Sequence, residues 1–84
     1  KGWLIHMETI SKLPAKTGII GPREIAKAIA SGKVKTVIVA KNCPAEIVDK
    51  FKEMKVKLEI FEGNQKEMGT KLGKPFHVAV VGYD

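Results

Sequence analysis

Apolar positions along the chain come in short runs that switch between helical and strand-like spacing. Thr9 to Leu13 reads as one short helix, which Pro14 stops. Gly18-Ile19-Ile20 reads as a short strand ending at Gly21. Pro22 then suits a first helical position, where its missing N–H would have had no intrahelical acceptor. From Pro22 to Ser31, Ile25, Ala28 and Ile29 recur at three- and four-residue spacing, and Gly32 closes this amphipathic helix. Val34 to Ala40 holds the unbroken run Val37-Ile38-Val39-Ala40, as in a strand covered on both faces. Pro44 to Met54 reads as a helix with Ile47, Val48 and Phe51 turned inward and Glu46 and Lys50 paired four residues apart. In Val56 to Phe61, Val56, Leu58 and Ile60 alternate with Lys57 and Glu59, which predicts a strand with one partly solvated face. Asn64 caps the next helix, with Glu67 at capping-box spacing, Met68 and Leu72 inward and Gly73 at its end. Phe76 to Val81 is the last predicted strand.

The order is helix, strand, helix, strand, helix, strand, helix, strand. Such alternation implies an α/β fold with helices on both faces of one sheet, a three-layer α/β/α sandwich with four strands. Connections of two to five residues fit a compact unit. With no long Gly/Ser linker, repeat or low-complexity segment, residues 1–84 read as a single domain. Met7 is a candidate native start, which would make residues 1–6 a non-native extension, and no function is assigned to them.

Composition narrows the class. At 84 residues and 44% hydrophobic, the chain has the make-up of a small globular domain. No apolar run approaches the roughly 20 residues a bilayer span needs, so no membrane partner is expected. One cysteine cannot build a disulfide framework or a structural zinc site, which fits a reducing, cytoplasmic setting. The net charge of +6 is unevenly placed. Residues 1–42 carry eight basic and two acidic side chains, whereas residues 43–84 carry seven of each. Two readings stay open on charge alone: a basic face aimed at a polyanion, or a lysine-rich soluble surface.

Catalysis finds little support. His6 and His77 lie at opposite ends of the chain, and Ser11 and Ser31 are not in nucleophile-elbow settings. No Gly-x-Gly-x-x-Gly or Walker-type loop exists, so no nucleotide cofactor is expected, and no metal either. Cys43, at a strand-to-helix junction, is either a packing residue or a thiol activated by the helix start.

The junction around Gly21 offers more. Gly21 allows close backbone approach, and a helix begins immediately after it, with free N–H groups and a dipole that attract phosphate. Arg23 and Lys27, four apart, share a face, and Glu24 can accept from a base amino group. The same cluster would also serve as an ordinary charged surface helix. Two further loops belong near this edge if the strands run as predicted: Lys41-Asn42-Cys43-Pro44 and Lys74-Pro75-Phe76-His77. Asn42 offers a donor and an acceptor, and Phe76 offers a flat face to an unstacked base unless it lies in the core.

Three runs resemble a known family. They are Thr17-Gly18-Ile19-Ile20-Gly21-Pro22-Arg23-Glu24-Ile25-Ala26-Lys27, Val37-Ile38-Val39-Ala40-Lys41-Asn42, and Glu67-Met68-Gly69-Thr70-Lys71-Leu72-Gly73-Lys74-Pro75-Phe76. Together, in order and spacing, they resemble the kink-turn-binding ribosomal proteins of archaea and eukaryotes, the L-thirty-e and L-seven-A-e group. The third run is most similar to the L-thirty-e branch. The resemblance spans about residues 9–83 and implies a mixed four-stranded sheet and binding to RNA kink-turns. By position it implies that Gly21 approaches the RNA backbone and that Arg23 contacts a base or phosphate. It matches Glu24 and Lys27 to a glutamate and a lysine of the family motif, and Asn42 to a base-contacting asparagine. Phe76, His77 and Val78 match a loop whose side chains pack on bulged nucleotides. Arg23 departs from the family's asparagine at its position, and His77 stands where a basic residue is expected.

The sequence therefore predicts an RNA-binding, non-enzymatic ribonucleoprotein component of the large ribosomal subunit. Its partners would be kink-turn ribosomal RNA and neighbouring ribosomal proteins. Two alternatives remain at this point: a non-ribosomal small RNA–protein complex, and a protein-interaction scaffold that uses the fold without RNA.

Overall fold

The computed structural model describes residues 8–14, 18–54 and 56–84; residues 1–6, with the extension expected there, lie outside them. Among the described residues five strands, β1 (Glu8–Ile10), β2 (Ile19–Ile20), β3 (Thr36–Ala40), β4 (Lys57–Phe61) and β5 (Val80–Tyr83), alternate with helices α1 (Pro22–Ala30), α2 (Ala45–Lys52) and α3 (Gln65–Lys71). The strands form one sheet in the order β1-β4-β3-β5-β2. β1, β4 and β3 pair in parallel, while β5 runs antiparallel to both β3 and β2. The sheet is mixed, as the family resemblance implies.

Residue parity in the strands explains the layers. Val37 and Val39 of β3 join Leu58 and Val80 in one core with Ile25 and Ala28 of α1 and Phe51 of α2. Ile38 and Ala40 turn the other way, to a second core with Phe61, Val81, Tyr83 and Met68 of α3. The unbroken apolar run of β3 is thus the strand with helices on both faces.

Three expectations need correction. The segment Thr9 to Leu13 begins as a strand, not a helix. Glu8, Thr9 and Ile10 pair with Glu59, Ile60 and Phe61, and the ladder continues through Glu62 N–H to the Ile10 carbonyl at 2.9 Å. Ile10 and Leu13 are both partly buried and pack against the second core. The open edge of β4 decided the backbone, and β1 brings the sheet from four strands to five. The last strand starts at Val80 rather than Phe76. Residues 76–78 lie instead along α3, where Val78 N–H donates to the Gln65 carbonyl at 3.1 Å. In α2 the ion pair joins Lys52 Nζ to Asp49 Oδ1 at 3.9 Å, not Glu46 to Lys50.

Strand polarity positions the site. β2, β3 and β4 end, and β5 begins, at one end of the sheet. The loops after Ile20, Ala40 and Phe61 and the loop before Val80 therefore gather there.

Candidate nucleic-acid interface

Three helices start at this end, and their first N–H groups are treated differently. Gly21, at φ +100°, is the N-cap of α1 and gives it no side-chain cap. That backbone angle favours glycine, because a Cβ is strained there. The first intrahelical bond runs from Ile25 N–H to the Gly21 carbonyl at 3.0 Å. Pro22 has no N–H, which leaves those of Arg23 and Glu24 without intrahelical acceptors. In α3, by contrast, Asn64 Oδ1 accepts from Glu67 N–H at 2.9 Å, and Glu67 Oε1 accepts from Asn64 N–H at 3.3 Å. The predicted capping box is formed. α2, behind Pro44, also lacks a side-chain cap but carries Glu46 in its first turn. α1 is the uncapped start with cations beside it, where Arg23, Glu24 and Lys27 are exposed on the outer face while Ile25 and Ala28 are buried.

The loop after β3 is tied to α3. Lys41 N–H donates to the Gly63 carbonyl at 3.0 Å, and Asn42 Oδ1 accepts from Gln65 N–H at 2.9 Å. Gln65 Nε2 returns a bond to the Asn42 carbonyl at 3.2 Å. Lys41 and Asn42 are both exposed. Cys43 behaves as a packing residue: it lies against the first core, and burial pushes its thiol above the usual range. A helix start that activated it would act in the opposite direction.

The loop between α3 and β5 lies along α3. Lys74 N–H donates to the Gly69 carbonyl at 2.9 Å, and the Phe76 carbonyl packs against the Cα of Gly69. Phe76 is 53% exposed, the one large apolar side chain so placed among the described residues. With Lys66, Thr70, Lys74, Pro75 and His77 it lines a shallow groove. Phe76 is thus a surface ring amid cations, not a core residue. Val78 is the reverse. At 1% exposure it is packed in the second core, so its side chain leaves the set of RNA contacts predicted above. The contact with α3 explains this, since the bond from Val78 N–H to the Gln65 carbonyl holds Val78 against the helix, and its side chain packs in the cluster that contains Met68.

Gln65, Lys66 and Gly69 belong to this end of the molecule and were not singled out in the sequence. Lys66 and Thr70 stand four apart on α3 and line the same groove, a spacing readable in principle once the helix is placed. The role of Gly69 depends on a loop packing that no local pattern encodes. Among the described residues no helix is long and apolar enough to cross a membrane.

Known proteins share the sequence pattern and the fold of this chain. A large ribosomal subunit protein eL30 of Archaeoglobus fulgidus is 40% identical over 80 residues, which cover 93% of this chain and 93% of that protein. The eL30 of Methanosarcina mazei is 41% identical over 68 residues, covering 79% of this chain and 66% of that protein. Two solved structures share the fold. A protein of unknown function from Bacillus halodurans C has a TM-score of 0.70 at 21% identity, over 79% of this chain and 69% of that one. The Giardia lamblia 15.5kD RNA binding protein has a TM-score of 0.66 at 22% identity, over 79% and 58%. Residues 7–84 match the family pattern as a whole, from β1 through the last strand. With that coverage and these relatives, the chain belongs to the ribosomal protein L7Ae/L30e/S12e/Gadd45 family.

Proposed function

We propose that this chain is an RNA-binding structural component of the large ribosomal subunit, acting as one domain in the cytoplasm and recognising a kink-turn in ribosomal RNA. The observation that carries the reading is the meeting, at one end of the sheet, of an uncapped cationic helix start with a loop that exposes Phe76. Phosphates are drawn to the free N–H groups of Arg23 and Glu24 and to the side chains of Arg23, Lys27, Lys41 and Lys74. Bases unstacked at a kink rest on the Phe76 ring, with His77 and Lys74 beside it. Glu24 and Asn42 supply polar contacts to base edges, and Gly21 keeps the backbone open to approach. A structural rather than catalytic role agrees with relatives named for the ribosomal subunit.

The test is a titration at two salt concentrations, comparing an RNA that contains a kink-turn with the same stems lacking its sheared pairs. Preference for the kinked RNA of about 100-fold, some 2.7 kcal/mol, is the expected result. Equal, weak and steeply salt-dependent binding would reduce the interaction to its basic half and overturn the reading. Phe76→Ala is expected to cost roughly 1–3 kcal/mol of affinity through lost stacking. Because the ring is exposed, the variant should melt like the wild type. A folded Phe76→Ala protein with undiminished affinity would remove the stacking role.

A further inference from the structure

Asn42 could in principle meet RNA through either end of its carboxamide, and the two ends read opposite chemistry. The structure separates them. A backbone N–H can only donate, so the Asn42 atom 2.9 Å from Gln65 N must be the oxygen. That assignment follows from the donor's chemistry, and rotating the amide would set two donors against each other. Gln65 fixes the loop a second time, because its Nε2 donates to the Asn42 carbonyl at 3.2 Å. It also accepts Val78 N–H on its own carbonyl at 3.1 Å, which joins Asn42 to the strand-ward end of the Phe76 loop. Asn42 itself is exposed at the end of β3, beside the strand β5 into which that loop leads, with the start of α1 one strand further on.

We propose that Gln65 is a positioning residue that holds Asn42 with its Nδ2 group toward RNA, so that this point of the interface reads a hydrogen-bond acceptor and rejects a donor. The proposal rests on the RNA-binding reading above and adds the polarity of one contact to it. The acceptor is a base-edge nitrogen or carbonyl oxygen, or a phosphate oxygen. The first confers preference for one RNA sequence, and the second does not.

Asn42→Asp tests the polarity with almost no change of shape. It keeps an oxygen for Gln65 N–H at a helix N-terminus, where a negative charge is favourable, so stability should be unchanged or raised. It replaces the outward donor with an acceptor. Titrations would use the kink-turn RNA, the stem control, and kink-turn RNAs with single purines replaced by 7-deaza analogues. Wild type should prefer the kink-turn, and Asn42→Asp should lose at least tenfold more affinity for it than for the stem control. Loss of wild-type affinity on one 7-deaza substitution, with Asn42→Asp indifferent to it, identifies a purine N7 as the acceptor; wild-type affinity kept with every analogue assigns the contact to a base carbonyl or a phosphate oxygen.

Gln65→Glu keeps the backbone bonds but removes the Nε2 donor, and it should lower kink-turn affinity with little change in melting. Placing Gln65→Glu in the Asn42→Asp background should then add nothing. An Asn42→Asp protein that keeps the wild-type ratio of the two affinities overturns the proposal, because general charge repulsion weakens both RNAs alike. Additive losses in the double variant overturn the positioning role of Gln65. Should the wild type itself fail to discriminate the two RNAs, the RNA reading falls first and this assignment with it.

Discussion

Gly69→Ala is expected to leave the sheet folded while removing most of the RNA affinity that depends on Phe76. Glycine inside a helix costs about 1 kcal/mol relative to alanine, so by helix propensity alone the substitution should stabilise α3. Packing decides otherwise. A Cβ at position 69 would overlap the carbonyl oxygen of Phe76 and stand 3.2 Å from its carbonyl carbon. The obstacle is backbone, which has no rotamer to yield. The loop is also pinned on both sides of the contact, by Lys74 N–H on the Gly69 carbonyl and Val78 N–H on the Gln65 carbonyl. Overpacking of this kind costs about 1–3 kcal/mol, so the net loss of stability after the propensity gain is about 0–2 kcal/mol. The loop relieves the overlap by lifting from α3, which carries the ring away from the place where a base would stack. Affinity should fall by about the 1–3 kcal/mol assigned to that stack. The double variant Gly69→Ala/Phe76→Ala should bind no more weakly than Phe76→Ala alone. Circular dichroism and RNA titration of the three proteins check this, and wild-type affinity in folded Gly69→Ala protein would refute it.

Phe51→Ala should produce the largest loss of stability without touching the interface. Phe51 is fully buried, the largest side chain so enclosed among the described residues, and it fixes α2 to the sheet among Val37, Val39 and Leu58. Removing the ring forfeits its transfer energy and leaves a cavity that a rigid sheet fills poorly, a cost of about 3–5 kcal/mol. That is a large part of the 5–15 kcal/mol typical of a domain. The urea midpoint should drop sharply while the slope of the transition holds. Where the variant remains folded its RNA affinity should match the wild type, because Phe51 faces the sheet and not the loop cluster. A change in midpoint equivalent to less than 1 kcal/mol would mean that α2 contributes little to the fold.

Much of this molecule was legible in order along the chain. The helices begin close to where Pro22, Pro44 and Asn64 place them, since the helical N-terminus is a local problem solved by nearby residues. The apolar run of β3 announced a strand covered on both faces, because alternation disappears only when both sides are buried. The cations around Gly21 marked the end of the molecule that the reading assigns to RNA, whereas Lys33 and Lys35 of the same basic half lie before β3, at the other end of the sheet.

What only the tertiary structure decided are the features whose energy lies in partners distant along the chain. The segment from Thr9 became a strand because β4 offered an unpaired edge, and hydrogen-bonding that edge outweighed a helical spacing only five residues long. Phe76 and Val78, two residues apart, went to solvent and to the core respectively, because α3 and Gly69 dictate where the loop lies. Asn42 acquired a defined donor end from Gln65, 23 positions away. Local sequence specifies elements through bonds that close within a few residues. Which side chain is offered outward, and with which atom, is settled only when separate segments compete for the same space and the same hydrogen-bonding groups.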